Sequence, residues 1–408
     1  MRSYSSSAPP CAAGHRPAEA SVFRQLLPIA LAVFVGFLTI GLPLPVLPLH
    51  LHDTLGAGTL LVGVVIAAQF AAALLSRAWA GALADTQGAR RAVISGLVIA
   101  ACSGLAYLAS LALVATPAAS IAVLLLGRVL LGCAESLVVT GALSWGLGLV
   151  GPQNAGKVMA WIGVAMYGAY AAGAPAGVAV HAQWGFGGIA VATVLTGLLA
   201  LAMVAGLRPV AATATLRTPF YQVLGAVWMP GLGLALSSVG FGVITVFIAL
   251  LFAAREWGNA SLAFTCFGLA FIAARMLFGH LPDKLGGARV ALVCVAIETI
   301  GQLLIWGADS APLAYLGAAL TGFGYSLAFP GFGVEAVRRA PPQSRGAAMG
   351  AYVAFLDISL AITGPAAGAM AGAWGVDAVY LAGALAVAMS SLVAVRLLAS
   401  APQGGRHA

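Results

Sequence analysis

The chain has 408 residues, of which 62% are hydrophobic and only 7% are charged, and its formal net charge is +8. A soluble core could not bury that much apolar surface, so this composition excludes a soluble globular protein. Stretches of about 20 mostly apolar residues, the length of a membrane-spanning helix, recur along the chain. Because they lack the alternation of a barrel strand, and because lipid leaves no other partner for the backbone, the sequence predicts an all-α integral membrane bundle.

Twelve transmembrane helices are predicted in chain order. They lie near residues 26–49, 59–80, 92–115, 119–145, 157–180, 186–207, 229–253, 260–279, 290–307, 313–335, 347–371 and 378–398. The first six form a bundle over residues 25–207, and the last six form a second bundle over residues 229–398. Residues 208–228 are predicted to be a cytoplasmic linker. Residues 1–24, rich in Ser, Pro and Ala, and residues 399–408 are predicted to be cytoplasmic tails, the first of them flexible.

The basic residues of the loops and span ends predict the orientation. One side of the bundle collects nearly all of them, among them Arg90, Lys284 and Arg345, whereas the other side has Arg255 alone. By the positive-inside rule, both termini face the cytoplasm of a bacterial inner membrane. The positive net charge is then an orientation signal, so no nucleic-acid partner is expected. The five cysteines show no metal-binding spacing and no disulfide framework, so neither a metal nor a cofactor is expected.

An internal repeat relates the two predicted bundles. The pattern Arg77-x-x-x-Gly81-x-Leu83-x-Asp85-x-x-Gly88-x-x-Arg91 reappears 198 residues later as Arg275-x-x-x-Gly279-x-Leu281-x-Asp283-x-x-Gly286-x-x-Arg289. A second series of matches is displaced by 190 residues and pairs Gly132 with Gly322 and Pro175 with Pro365. In this second series Glu135 corresponds to Tyr325, and Asp357 corresponds to Tyr167. The two bundles are therefore predicted to be pseudo-symmetric.

The repeated segments also carry a family resemblance. Gly81-Ala-Leu-Ala-Asp85-Thr-Gln-Gly88-Ala-Arg90-Arg91 resembles the signature of the loop between the second and third spans in the major facilitator superfamily. Arg128-Val-Leu-Leu-Gly132 resembles the fourth-span signature, and Gly173-Ala-Pro175-Ala-Gly177 is similar to a degenerate form of the fifth-span signature of exporters. The resemblance covers residues 25–398. The chain is most similar to an efflux-type branch for sugars or drugs.

The loop signatures are predicted to form a conformational latch. In each copy the glycines allow close packing and a tight turn, which leaves the Asp side chain for electrostatic contact. The resemblance implies that Asp85 meets the start of the eleventh span near Gly346–Met349 and that Asp283 meets the fifth span, while the cytoplasmic side is closed. An alternative is that these turns only enforce topology. The predicted latch residues are Gly81, Asp85, Gly88, Arg90, Arg91, Gly279, Asp283, Gly286 and Arg289.

Charged side chains inside spans are unfavourable and usually functional. Six residues of this kind lie well inside the predicted spans: Arg77, Arg128, Glu135, Arg275, Glu298 and Asp357. Arg77 and Arg275 lie about one turn from the predicted cytoplasmic end, so they are expected to snorkel to the interface. Glu298, together with Gln302 one turn along the same span, is expected to form interhelical hydrogen bonds.

The other three charged residues are candidates for a proton pathway. Arg128 and Glu135 are seven residues apart on the fourth span, about 10 Å along one face, so they can share one cavity. Asp357 lies near the bilayer midplane, about 15 Å into the eleventh span. Tyr167 and Tyr325 are predicted to line the same pathway because they stand at the positions equivalent to the two acids. The alternative is a static buried ion pair that fixes helix packing.

These features predict a secondary active transporter rather than an enzyme. Its partners would be a small-molecule substrate, protons and the lipid bilayer, and it is expected to be a monomer. The favoured function is proton-coupled efflux of a small amphipathic or apolar solute such as a drug, a sugar or a metabolite. A proton symporter or facilitator for uptake is the second interpretation, and a membrane scaffold or sensor that transports nothing is the third.

Overall fold

The computed structural model describes residues 19–210, 220–341 and 345–400, and these are helical nearly throughout. Each half is a series of long helices joined by short connections. The first half contains α1 (Glu19–Gly41), the short α2 (Leu47–Leu49) with a π-helical turn (His50–Thr54), α3 (Thr59–Gln87), α4 (Ala89–Leu111), α5 (Pro117–Val150) and α6 (Ala155–Ala205). The second half contains α7 (Phe220–Ala254), α8 (Ser261–Phe278), the short α9 (Leu281–Leu285), α10 (Gly287–Trp306), α11 (Ala311–Arg339), α12 (Arg345–Trp374) and α13 (Val376–Ala399).

The number of spans agrees with the twelve predicted from the sequence. Ten helices among the described residues are long and apolar enough to cross a membrane. One of them, α6, has 51 residues and breaks at Gly185, where the backbone takes φ 61° and ψ −161°, so it supplies the fifth and sixth spans. Since α11 is also of spanning length, with 29 residues, the described part of the chain contains twelve spans.

The first span differs from its predicted extent of 26–49. Helix α1 begins at Glu19 and ends at Gly41, and the chain then turns before α2. Pro43, Pro45 and Pro48 follow the end of α1 in quick succession. Proline lacks a backbone N–H and clashes with the preceding turn, so a continuous helix cannot pass through this segment.

The predicted tails and linker are only partly described. Helix α1 already begins within the predicted tail 1–24, and α7 is helical from Phe220, which lies within the predicted linker 208–228. The rest of the first tail, nearly all of the second tail and the middle of the linker lie outside the described residues.

Two helix pairs make the most extensive contacts between the halves, α3 with α12 and α6 with α8. Small residues let the backbones of the first pair approach closely: a Cβ placed on Gly63 would lie 2.1 Å from the carbonyl oxygen of Gly364. Near this contact, the Thr59 hydroxyl donates a hydrogen bond of 2.8 Å to the carbonyl of Gly368. In the second pair, the Thr265 hydroxyl donates to the carbonyl of Ala171 at 2.8 Å. All these contacts lie toward the end predicted to face the periplasm, so the halves are packed together there.

Candidate functional site

An ion pair connects the two halves. Arg77 on α3 donates from Nε to Oδ2 of Asp357 on α12 at 2.8 Å, and its Nη2 donates to the same oxygen. The Asp357 side chain is 7% exposed and that of Arg77 is 24% exposed. The snorkelling predicted for Arg77 is therefore wrong. Helix α3 continues to Gln87, about 15 Å beyond Arg77, which places the guanidinium deeper than the predicted span end at residue 80 implied.

Glu135 also has its partner on α3. Gln69 donates from Nε2 to Oε2 of Glu135 at 2.6 Å, and Gln69 is completely buried. Glu135 lines a small cavity within the first half, beside Phe37, Thr39 and Leu97. Gln69 was not predicted from the sequence because an uncharged amide inside a span is a weaker signal than a charge. An amide in an otherwise apolar stretch, two turns before Arg77, was the available signal.

Arg128 is not paired with Glu135. It is 1% exposed, its Nη2 donates to the main-chain carbonyl of Ile66 at 3.4 Å, and its Nε has no partner. Within the described residues, no carboxylate lies within salt-bridge distance of it. The guanidinium lines a small cavity together with Pro43, Leu44 and Thr245, the last of which belongs to the second half. Arg128 and Glu135 thus contact α3 about one helical turn apart, at Ile66 and Gln69.

Tyr167 and Tyr325 meet in a group of six rings that we call the aromatic cluster. Tyr167 stacks on Phe271 with ring centroids 3.8 Å apart, and Tyr325 stacks on Phe241 at 5.5 Å. The two tyrosine rings are 6.2 Å apart in an edge-to-face arrangement. The cluster consists of Tyr167 and Tyr170 on α6, Phe241 on α7, Phe267 and Phe271 on α8, and Tyr325 on α11. It therefore includes rings from both halves.

Arg275, the repeat equivalent of Arg77, also turns inward, so the snorkelling predicted for it is wrong as well. Its Nη2 donates to the main-chain carbonyl of Ser326 at 2.5 Å, and its guanidinium lies 5.3 Å from the centroid of Phe271. The Phe271 ring therefore contacts both Tyr167 and Arg275. Since Tyr167 is the repeat equivalent of Asp357, this aromatic contact occupies the place that the Arg77–Asp357 ion pair has in the other helix pair.

Glu298 makes the kind of interhelical hydrogen bond expected of it. The Ser237 hydroxyl on α7 donates to Oε2 of Glu298 at 2.7 Å, and Glu298 is completely buried. Gln302 donates to the Gly240 carbonyl at 3.2 Å and to the Thr321 hydroxyl at 3.1 Å. These bonds tie α10 to α7 and α11 within the second half, away from the contact between the halves.

The two predicted latch loops have the turn geometry that their glycines allow. Gly88 has φ 95° and Gly286 has φ 92°, a conformation that side chains with a Cβ disfavour. Gly81 is buried in α3, and Arg90 donates to the main-chain carbonyl of Ala205 at the end of α6. Arg91, Asp283 and Arg289 are exposed, Gly279 caps the end of α8, and Asp85 is half-buried. The predicted contact of Asp85 near Gly346–Met349 falls partly on residues 346 and 347, whose side chains lie outside the described ones.

Comparisons with known proteins agree with this architecture. A family model described as Major Facilitator Superfamily matches residues 29–254 and 230–407. A relative from Pseudomonas aeruginosa, described as an uncharacterized MFS-type transporter, is 46% identical over 93% of this chain and 94% of its own length. A Salmonella typhimurium relative with the same description is 43% identical over 91% of this chain and 96% of its own.

Solved structures share the fold at low sequence identity. A point mutant of the nucleoside transporter NupG superposes with a TM-score of 0.72 and 14% identity, covering 91% of this chain and 99% of its own. The human organic anion transporter MFSD10 gives a TM-score of 0.69 and 17% identity, with the same coverage of 91% and 99%. A bacterial homologue of the human lysosomal transporter Spinster, in an inward-facing and unoccupied conformation, gives 0.68 and 15%, covering 94% and 96%.

Proposed function

Because the chain belongs to the major facilitator superfamily, we propose that it is a secondary active transporter that alternates access between the two membrane faces and couples solute movement to protons. Membrane transport and a small-molecule substrate follow from the family. Proton coupling, efflux, an inner-membrane location with both termini in the cytoplasm, and a monomeric state are our proposals.

The Arg77–Asp357 ion pair carries the proposal of proton coupling. Alternating access requires the halves to move against each other, and this pair lies across the contact between them. When α3 and α12 separate, Asp357 loses its cation. A carboxylate left without a counter-charge inside a bilayer is unfavourable by at least about 2.5 kcal/mol, and a proton is the most available replacement. Glu135 offers a second acid, held by neutral Gln69 on the same helix α3.

The proposed direction is efflux of a small amphipathic or apolar solute. The similarity of Gly173-Ala-Pro175-Ala-Gly177 to the exporter signature supports efflux, and the aromatic cluster supports a solute with an apolar body. Proton-coupled uptake is the second candidate. It is favoured by Arg128, because a buried cation without a carboxylate partner suits a site where an anionic solute and a proton are bound together.

Everted membrane vesicles test the proposal directly. Respiration acidifies the vesicle lumen, and a fluorescent weak base reports the pH gradient while aromatic and aliphatic solutes are added one at a time. Proton-coupled transport releases part of the gradient when a substrate is added. We expect the release to disappear in the Glu135→Gln, Asp357→Asn double variant and to persist in Asp309→Asn, which removes an exposed acid. Undiminished release in the double variant would contradict coupling through these acids.

A further inference from the structure

The charged side chains at the contact between the halves do not balance. Among the described residues there, three arginines (Arg77, Arg128 and Arg275) face two acids (Glu135 and Asp357). Arg77 is paired with Asp357, whereas Arg128 and Arg275 are not within salt-bridge distance of any described carboxylate. A buried charge without compensation is strongly unfavourable. The site therefore has an excess of positive charge even when both acids are ionised.

Arg128 is the arginine with the fewest direct partners. Arg128 and Arg275 both have an unpartnered Nε. However, Arg275 has a short bond to the Ser326 carbonyl and the face of Phe271. Arg128, which is 1% exposed, has only the 3.4 Å contact with Ile66. A guanidinium presents five donors in a fork that matches a carboxylate. The fork of Arg128 is thus largely unused in a buried site.

The cavity at Arg128 lies beside the aromatic cluster. Thr245 lines this cavity from the second half, and its hydroxyl donates to the carbonyl of Phe241 one turn away on α7. Phe241 belongs to the aromatic cluster. The four residues from Phe241 to Thr245 span about 6 Å along α7. Tyr170 of the cluster also lies within electrostatic reach of Arg128. A cationic fork and a set of aromatic faces are thus adjacent at the contact between the halves.

We propose that Arg128 binds the anionic group of the transported solute, and that the solute is an organic monoanion whose aromatic body contacts the aromatic cluster. This inference rests on the proposed transport function in either direction, and it specifies the substrate class. In the proposed complex the anionic group lies at Arg128 and the ring extends toward Phe241. One bound anion compensates the excess charge left by the three arginines and two acids.

Binding of matched probes to the purified full-length protein tests the inference. The anion 3-phenylpropionate has a carboxylate and a ring at a separation similar to one helical turn, and 3-phenylpropanol and 3-phenylpropylammonium are its neutral and cationic analogues. A ligand that binds only the folded protein raises its Tm. We expect the anion to raise Tm and the two analogues to have no effect, and we expect propionate, which lacks the ring, to bind more weakly.

Variants then assign the effect to Arg128. A hydrogen bond to a charged group is worth about 1.5–3 kcal/mol, so Arg128→Gln is expected to weaken binding of 3-phenylpropionate by about tenfold or more. Arg128→Lys keeps the charge and is expected to retain part of the affinity, which provides a second readout if the Gln variant folds poorly. Arg396→Gln, a change of an exposed arginine on α13, is expected to bind as the unchanged protein does.

Four outcomes contradict the inference: equal stabilisation by the ammonium analogue, undiminished binding in Arg128→Gln, stabilisation by chloride as strong as by 3-phenylpropionate, or no stabilisation by any aromatic monoanion in a panel of carboxylates and sulfonates. Failure of the proposed function looks different. If 3-phenylpropionate binds through Arg128 but releases no pH gradient in vesicles, proton coupling fails and the substrate class stands. If a cationic solute releases the gradient, the substrate class fails and the coupling stands.

Discussion

Removing the Asp357 charge should shift the conformational equilibrium of the transporter. Two unit charges about 4 Å apart interact with about 4 kcal/mol at an effective dielectric constant of about 20. Desolvation of the two groups offsets much of this in the closed arrangement. We therefore expect the Arg77–Asp357 pair to favour the closed end, the arrangement in which α3 and α12 are in contact, by about 1–3 kcal/mol. This is equivalent to a factor of about 5 to 150 in the ratio of closed to open molecules. Asp357→Asn removes this term and leaves Arg77, whose side chain is 24% exposed, without a counter-charge.

Distance measurements between spin labels can detect the shift. Labels on cysteines at Thr116 and Asp309, two exposed loop positions in different halves at the predicted periplasmic end, report its opening once the native cysteines are replaced. Asp357→Asn should raise the open population about tenfold. Adding Arg77→Gln should reverse only the part of the change that comes from the unpaired guanidinium, because the attraction within the pair stays lost.

A surface ion pair provides the matched control for this measurement. Arg255 and Asp377 are 2.9 Å apart but 42% and 43% exposed, so breaking them with Asp377→Asn should change stability by less than about 1 kcal/mol and leave the distances as they were. If Asp357→Asn gave the same distance distribution as Asp377→Asn, the inference that the Arg77–Asp357 pair holds the closed end would be refuted.

Three further predictions follow from the topology, the latch and the packing of the halves. Single cysteines at Gln153 and Gln183 should be labelled from opposite sides, the first from the cytoplasm and the second from the periplasm; labelling of both from one side would contradict the topology. Asp85→Asn should slow solute exchange in liposomes while leaving binding of the solute nearly unchanged, because a latch biases conformations without touching the ligand; lost binding would argue against a latch. Gly63→Val should prevent the halves from closing, since a Cβ there would lie 2.1 Å from the Gly364 carbonyl, and spin-label distances should then match an open end, whereas unchanged distances would mean that α3 and α12 adjust around the new side chain.

The sequence is a good guide wherever a local pattern controls the structure. The spans follow from runs of apolar residues, and the predicted break between the fifth and sixth spans, between residues 180 and 186, contains the Gly185 that interrupts α6. The first span was predicted to continue to residue 49, but α1 ends at Gly41. The apolar run continues past Gly41, although three prolines interrupt the helix there. Hydropathy alone does not reflect the backbone hydrogen bonds that proline removes from a helix.

The partners of the charged residues are harder to predict, because they depend on which helices meet. Asp357 has no basic neighbour within two turns on its own helix, and its partner comes from α3 in the other half. Arg128 and Glu135 share a helical face, but α3 supplies Ile66 to one and Gln69 to the other. Spacing along one helix gives the direction of a side chain. It does not identify the side chain on the facing helix.

The two main contacts between the halves differ in how they respond to protonation. At α3 and α12 the halves meet through an ion pair, whose strength changes when a carboxyl takes up a proton. At α6 and α8 the equivalent positions hold Tyr167 and Arg275, which both contact Phe271, and stacked rings are indifferent to protons near neutral pH. A symmetric rocking of two bundles would strain both contacts alike. Protons can weaken the contact between α3 and α12 but not the contact between α6 and α8. We therefore expect the halves to rotate about the aromatic contact between α6 and α8 while α3 and α12 separate.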